Sequence, residues 1–394
     1  MTTPHTAPTG GTTPTRALVV SSAALFTDML VHGLAVPVLP LLPSVVAAGP
    51  EATGILFSSY AAAMIVATLF AGRIVDRYGP RTPLLIGLVG LAAATLLFAT
   101  GGPYWLLLVA RLAQGIAGGM SWVAALSLIA ATTPMEKRGQ SMGIALSTIT
   151  LGVLIGPPLA GFLVEHLGTA SPFLFAAAVA LADGVLRIVF VKDSPRVTDD
   201  TAGPLAVLKV PGSLSIVLAV VVGAAVLSGI EPVLPVHLGA SPLTVGLLFG
   251  LAALASIIAN PIVGRLVATT SPRMLVGAGI AAVAAALLVT GFATELWQTC
   301  IGMALLGVSS ALLLAPATTL ISEQGYKSNP PTLGGSFALY NLAYAAGLAG
   351  GPLLTGISTG QWGFTTAMLV TAAVLAVIGG ASLARLPRAA RQTE

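Results

Sequence analysis

Five ionisable side chains interrupt otherwise apolar stretches of this sequence: Asp28, Arg111, Asp183, Arg187 and Glu231. A charge at a bilayer centre costs about 2.5–3.5 kcal/mol on insertion scales, so such groups turn toward the protein interior or a water-filled cavity. Asp28 lies nine residues before Pro37. Its carboxylate could hold a proton or a cation but not both strongly, and that competition is itself a coupling mechanism. The plainer reading is a structural hydrogen bond. Glu231 precedes Pro232 in a stretch that Gly229, Pro232 and Pro235 should loosen, because each proline removes a backbone donor and disfavours a straight helix. Broken helices line binding sites in membranes, whereas a glutamate near the external interface would only reach for water. Arg111 cannot be neutralised and therefore needs a partner, either a cavity carboxylate or a fixed structural one. Asp183 and Arg187, four residues apart on one helix face, can pair with each other, as a local ion pair or an interfacial anchor. Gln114 follows Arg111 by three residues, Asn341 lies between Tyr340 and Tyr344, and Tyr60 follows Ser58 and Ser59. Such amides and hydroxyls bridge helices in membranes as often as they bind ligands.

These groups sit in a chain of 394 residues that is 56% apolar and only 8% charged. A soluble domain carries about 25% charged residues, and the mean hydropathy of +0.97 means that most of the chain cannot face water. An ordinary soluble enzyme, a disordered protein and a nucleic-acid binder are excluded. The apolar runs are continuous rather than alternating, which disfavours a membrane barrel. At about 20 apolar residues per crossing, the sequence predicts twelve transmembrane helices, at 17–42, 53–75, 82–101, 103–132, 140–165, 170–191, 213–237, 242–268, 273–293, 296–321, 332–357 and 362–384. Residues 1–16 and 386–394 read as cytoplasmic tails, and 192–212, with its KDSPRVTDD stretch, as a cytoplasmic linker between 17–191 and 213–385.

Lys and Arg fall on one side. The connections after the even-numbered spans hold Arg77, Arg81, Lys137, Arg138, Lys192, Arg196, Lys209 and Lys327, and the opposite connections hold none. The positive-inside rule therefore predicts cytoplasmic termini. The chain also repeats itself. GRIVDRYGPR at 72–81 recurs as GRLVATTSPR at 264–273, VPVLP at 36–40 as EPVLP at 231–235, and GPPLAG at 156–161 as GPLLTG at 351–356. Offsets of 192 and 195 residues indicate two homologous six-helix halves. Paired halves of this kind place a binding site at the midplane between them.

No reactive constellation accompanies them. His5, His32, His166 and His237 are scattered, there is no metal-ligand spacing, phosphate loop or nucleophile elbow, and the single Cys300 excludes an internal disulfide. No enzyme activity, metal or cofactor is expected. Without a phosphate loop, transport would draw on an ion gradient or on the substrate's own gradient. GVLIGPPLAG at 152–161 is a packing and hinge element, because small residues permit close helix approach.

Three motifs carry a resemblance. GRIVDRYGPR resembles the loop motif between spans 2 and 3 of the major facilitator superfamily, RLAQG at 111–115 its span-4 motif, and GVLIGPPLAG the span-5 signature of its antiporters. The set resembles a twelve-span drug:proton antiporter. RLAQGIAGGMSWVAALSLIA, RGQSMGIALSTITLGVLIGPPLAGFLVEHLG, PFLFAAAVALADG and EPVLP are similar to the vesicular amine transporters and their bacterial relatives. The resemblance implies a major facilitator fold, an amine-recognising Asp28, and functional roles for Glu231 and Arg111. It implies a conformational latch of Gly72, Asp76, Arg77, Gly79 and Arg81, and a hinge of Gly152, Gly156, Pro157 and Gly161. Departures are Tyr60 in place of the family's span-2 lysine, Ala311 near its span-10 aspartate and Asn341 for its span-11 aspartate. At the latch position of the second half stands Ala268.

The resulting expectation is an all-α membrane protein, monomeric, in the cell membrane, exporting small lipophilic cations in exchange for protons. Asp28, Glu231, Arg111, Asn341, Tyr60, Gln114 and Tyr344 would form its binding region. Two other readings are an exporter of neutral metabolites or sugars, which should not need Asp28, and a non-transporting membrane sensor. The second normally carries a soluble output domain, and the longest loop here offers little room for one.

Overall fold

Proline and small polar residues fix where the helices begin. In the computed structural model, Thr13, Ser241 and Ser271 accept a hydrogen bond from the backbone three residues on, each followed by a proline at the first helical position. Gly79, Gly168 and Gly363 end helices at φ of 76°, 89° and 78°, a region that favours glycine. The structure describes residues 13–79, 81–190, 203–384 and 386. Most of both expected tails and the KDSPRVTDD stretch lie outside these residues.

Among the described residues the regular structure is all helical, with no strand. The helices are α1 (Pro14–Ala35), α2 (Pro43–Tyr78), α3 (Arg81–Ala99), α4 (Tyr104–Thr132), α5 (Met135–Leu167), α6 (Ser171–Phe190), α7 (Pro204–Leu208), α8 (Ser213–Ile230), α9 (Leu234–Leu238), α10 (Pro242–Thr269), α11 (Pro272–Gly291), α12 (Leu296–Lys327), α13 (Leu333–Trp362) and α14 (Phe364–Leu383). Twelve of the described segments are long and apolar enough to cross a membrane, in agreement with the twelve spans predicted. Large apolar side chains such as Val89, Trp105 and Val377 are exposed on the outside, as lipid-facing residues must be.

The two halves repeat one packing scheme. α1 packs on α4, α5 and α6, while α2 packs on α4 and α3 packs on α4 and α6. In the second half α8 packs on α12, α13 and α14, α10 on α12, and α11 on α12 and α14. Every pair has its counterpart at the sequence offset. Between the halves the main contacts are α2 with α13 and α5 with α10, which are also counterparts. The sequence repeat is therefore a spatial one.

Several boundaries differ from the sequence reading. The linker carries α7, whose Val207 is buried and which packs on α13. Five residues are too few for an apolar period to show. The stretch from Pro43 to Pro50, left between the first two predicted spans, is helical on both sides of a kink at Gly49, whose φ is 88°. α5 and α12 run past the predicted ends, to Met135 and Lys327, because hydropathy reads only the apolar part of a helix. The loosening expected around Glu231 is present, and α1 carries an interruption of the same kind that the sequence reading had as continuous span. α1 gives way to a turn at 36–38 and a short 3-10 segment at Leu39–Leu41, and α8 gives way to a turn at 231–233 before α9. The first interruption lies within VPVLP and the second within EPVLP.

Candidate functional site

Asp28 is buried in α1, 1% exposed. Its Oδ2 accepts a hydrogen bond from the Tyr60 hydroxyl of α2 at 2.9 Å and from the Trp122 indole Nε1 of α4 at 2.7 Å. Its Oδ1 has no hydrogen-bond partner. Gly118 makes the space: a Cβ there would stand 2.9 Å from Oδ1 and 3.1 Å from the Tyr60 hydroxyl. One carboxylate oxygen is thus held by two donors, and the other is buried without a hydrogen-bond partner.

Arg111 lies fully buried beyond Tyr60. Its guanidinium carbon is 5.0 Å from the Phe57 ring centre and 5.6 Å from that of Tyr60, within range for attraction by the ring faces. Nη1 donates to Gln114 Oε1 at 3.3 Å, and Gln114 Nε2 donates to Thr95 at 2.9 Å. Nε and Nη2 have no hydrogen-bond partner. The first half therefore joins Asp28, Tyr60, Arg111 and Gln114 in one cluster, with Tyr60 between the two charges.

Glu231 occupies the turn after α8. It borders a cavity of about 50 Å³ between the halves, lined also by Met29, His32, Pro157, Phe249 and Tyr344. That volume holds a few water molecules, not a drug-sized ligand. Glu231 Oε2 faces His32 Nε2 of α1 at 3.6 Å. His32 is one turn from Asp28, and its ring centre is 5.0 Å from that of Tyr60. Asp28 and Glu231 are thereby linked through one face of α1. Tyr344 belongs to this region. Asn341 is half-buried on α13 and does not line the cavity, and Tyr340 packs parallel to Tyr344 at 6.4 Å.

Sequence reasoning left out His32 and Trp122. His32 counts there only as one of four scattered histidines, although it stands four residues after Asp28, on the same helix face. Trp122 has an indole N–H that needs an acceptor in an apolar segment.

The glycine-proline element of α5 packs on two sides. A Cβ at Gly152 would meet the Phe26 carbonyl oxygen of α1 at 2.8 Å, and one at Gly156 would meet the Gly33 Cα at 2.9 Å. Farther along, a Cβ at Gly161 would meet the Leu243 Cα of α10 at 2.5 Å, and one at Gly246 would overlap the Pro157 carbonyl oxygen. Its copy in α13 does the same against α2: a Cβ at Gly54 would come 2.5 Å from the Pro352 carbonyl oxygen and 2.9 Å from the Gly356 Cα. Gly54 and Gly246 are sequence counterparts, as are Pro157 and Pro352. These two seams close the halves on the face away from the termini.

At the other face, Gly79 turns the chain from α2 toward Arg81. The Arg77 guanidinium lies 5.4 Å from the Tyr78 ring. The surroundings of Gly72 and Asp76 lie outside the described residues.

Asp183 and Arg187 form a buried ion pair within α6. Arg187 also donates to the Leu84 carbonyl at 2.9 Å and to Ser121 at 3.1 Å, so it ties α6 to α3 and α4. It is a local pair sealed in the first half, not an anchor at the interface. Arg187→Met should cost about 3–5 kcal/mol, the usual effect of breaking a buried pair. The readout is the melting temperature in detergent, and an unchanged value would contradict this structural role.

The description Major Facilitator Superfamily fits the chain by its family model, at residues 21–237 and 212–394. The chromaffin granule amine transporter of Rattus norvegicus is 32% identical over 80% of this chain and 62% of its own length. A probable vesicular acetylcholine transporter-B of Danio rerio is 30% identical over 88% of this chain and 74% of its own. The chain thus spans about 62% of the length of the amine transporters it matches. Among solved structures, a bacterial homolog of the human lysosomal transporter Spinster, inward-facing and unoccupied, superposes with a TM-score of 0.78 over 94% of this chain and 96% of that one, at 14% identity. A human organic anion transporter superposes with a TM-score of 0.67 at 20% identity, over 96% and 100%. At these identities the structural likeness shows the fold alone.

Proposed function

Because the chain belongs to the Major Facilitator Superfamily and is related to the vesicular amine transporters, we propose that it is a proton-coupled antiporter exporting small lipophilic cations by alternating access. One observation carries this reading. A buried carboxylate, Asp28, has one oxygen fixed by two donors and one without a partner, one turn from a cavity whose far wall holds a second acid. A cation arriving at Oδ1 competes with the proton for the same site. Apolar and aromatic neighbours suit a lipophilic body, and neither metal nor cofactor is needed.

Asp28 and Glu231 are the proton and substrate carboxylates. Arg111 acts on Asp28 through Tyr60, and Gln114 holds Arg111 in place. Tyr344 belongs to the wall of the second half, and Asn341 lies on the same helix, outside that wall. Gly72, Asp76, Arg77, Gly79 and Arg81 form the latch on the cytoplasmic face, with both termini there. The seams at Pro157 and Pro352 close the outer face. The protein works as a monomer in the cell membrane, as one polypeptide holds both halves.

The test is transport by the purified protein in proteoliposomes. An acid lumen should drive accumulation of ethidium, and collapsing the pH gradient should release it. Movement of a neutral sugar without movement of cations would overturn the reading in favour of a neutral-solute exporter.

A further inference from the structure

His32 is the side chain that joins the two acidic groups, and the proton-exchange reading gives it no part. Its Nε2 faces Glu231 Oε2 across the halves at 3.6 Å, with the side chains 11% and 10% exposed. Its Nδ1 is buried without a hydrogen-bond partner, and Glu231 Oε2 has no hydrogen bond either. The other titratable groups around this pair are few. Asp28 lies one turn away on α1, Tyr60 faces the ring from α2, and Tyr344 lines the same cavity from α13. Arg111 of α4 lies behind Tyr60. The cavity walls from α5, α10 and α12 contribute Pro157, Phe249 and Ser310, which do not titrate.

The state of this pair is tied to the position of the halves. His32 belongs to the first half and Glu231 to the second, and the seams at Gly54–Pro352 and Gly246–Pro157 hold them together. With no proton on the pair, closure buries a bare carboxylate opposite a neutral imidazole, which is unfavourable. With two protons, closure buries an imidazolium beside a neutral acid and near Arg111. With one proton shared, the pair carries no net charge and each group has its partner. Imidazole is the side chain whose ordinary titration falls between about pH 5 and 8.

We propose that His32 is a proton-carrying residue, and that the His32–Glu231 pair permits the halves to close on the face away from the termini only when it holds one proton. The proton comes from water on that face and bonds to the Nε2 lone pair. The resulting N–H donates to Glu231 Oε2. The proton returns to water on the opposite face once the halves part there, so the pair is regenerated without any other reactant. This inference deepens the antiport reading and rests on it for direction.

The test follows the seam and transport separately. In the full chain, with Cys300→Ser as background, Val46→Cys and Gln361→Cys place spin labels on exposed positions at the ends of α2 and α13. Pulsed electron resonance in lipid nanodiscs then reads their separation from about pH 5.5 to 9, a window that brackets imidazole titration. The expected result is a short distance near the acid end that gives way to a longer one as pH rises. His32→Gln should abolish that transition, and so should Glu231→Gln, which guards against one variant failing to fold. A wild-type distance indifferent to pH, or a transition retained in His32→Gln, would overturn the role of His32. Ethidium accumulation driven by an acid lumen is measured on the same proteins. Its absence from the wild type would overturn the antiport reading, while a pH-dependent seam lost in His32→Gln would still support the pair as the closing element.

Discussion

Asp28→Asn should abolish proton-driven cation export while leaving the protein folded. The asparagine carbonyl can accept from Tyr60 and Trp122 as Oδ2 does now, so the helix contacts of α1 survive. The amide then occupies the position of the unpartnered Oδ1. It offers neither a negative charge to a cation nor a site for an exchangeable proton. Removing one member of a buried charged interaction costs about 2–5 kcal/mol, and each 1.4 kcal/mol is tenfold. Export should therefore fall by about 30-fold or more. The measurement is initial-rate ethidium transport in proteoliposomes, with size-exclusion profile as the folding control. A folded variant that keeps full rate would remove Asp28 from the mechanism.

The second large effect is expected far from any charge. Gly246→Ala adds a methyl group where the Pro157 carbonyl oxygen already sits, and Gly54→Ala does the same against Pro352. Backbone oxygens cannot rotate away as side chains can, so the outer face must stay apart. Overpacking of this kind costs about 1–3 kcal/mol, which moves the closed population by about five- to 150-fold. Transport should fall accordingly, and a cysteine placed at the outer ends of α2 or α10 should become more reactive to a membrane-impermeant maleimide. Gly350→Ala supplies the control, since nothing lies within 4 Å of a Cβ there. Equal transport by Gly246→Ala and Gly350→Ala would show that this seam does not govern closure.

Much of this was legible in the sequence because membranes penalise the same few things everywhere. Asp28, Arg111 and Glu231 stood out by insertion cost alone, and each is buried in the structure. The GPPLAG and GPLLTG copies announced two halves, and the structure places them as the two counterpart seams. Prolines after Glu231 foretold the interruption of α8, whereas the matching one after α1, at its VPVLP copy, was read as continuous span. What was not legible depends on contacts between helices distant in the chain. Trp122 is 94 residues from Asp28, and His32 is 199 from Glu231 by number. Neither spacing has a local signature, and a histidine near a helix end is common. Tyr60 stands out in the sequence beside Ser58 and Ser59, but its position between Asp28 and Arg111 depends on Gly115 and Gly118 letting α4 approach. The helix α7 and the kink at Gly49 were missed for a different reason. One is too short to show a period, and proline-rich composition does not distinguish a turn from a kinked helix start.

The central claim is that a cation and a proton exchange at Asp28. The most direct measurement is proton release from purified, weakly buffered protein in detergent on adding tetraphenylphosphonium, with cation binding followed in parallel. Wild-type protein should release about one proton per cation bound, as expected for one carboxylate changing partner, and Asp28→Asn should release none. Cation binding without release, or the same release from Asp28→Asn, would contradict exchange at this carboxylate.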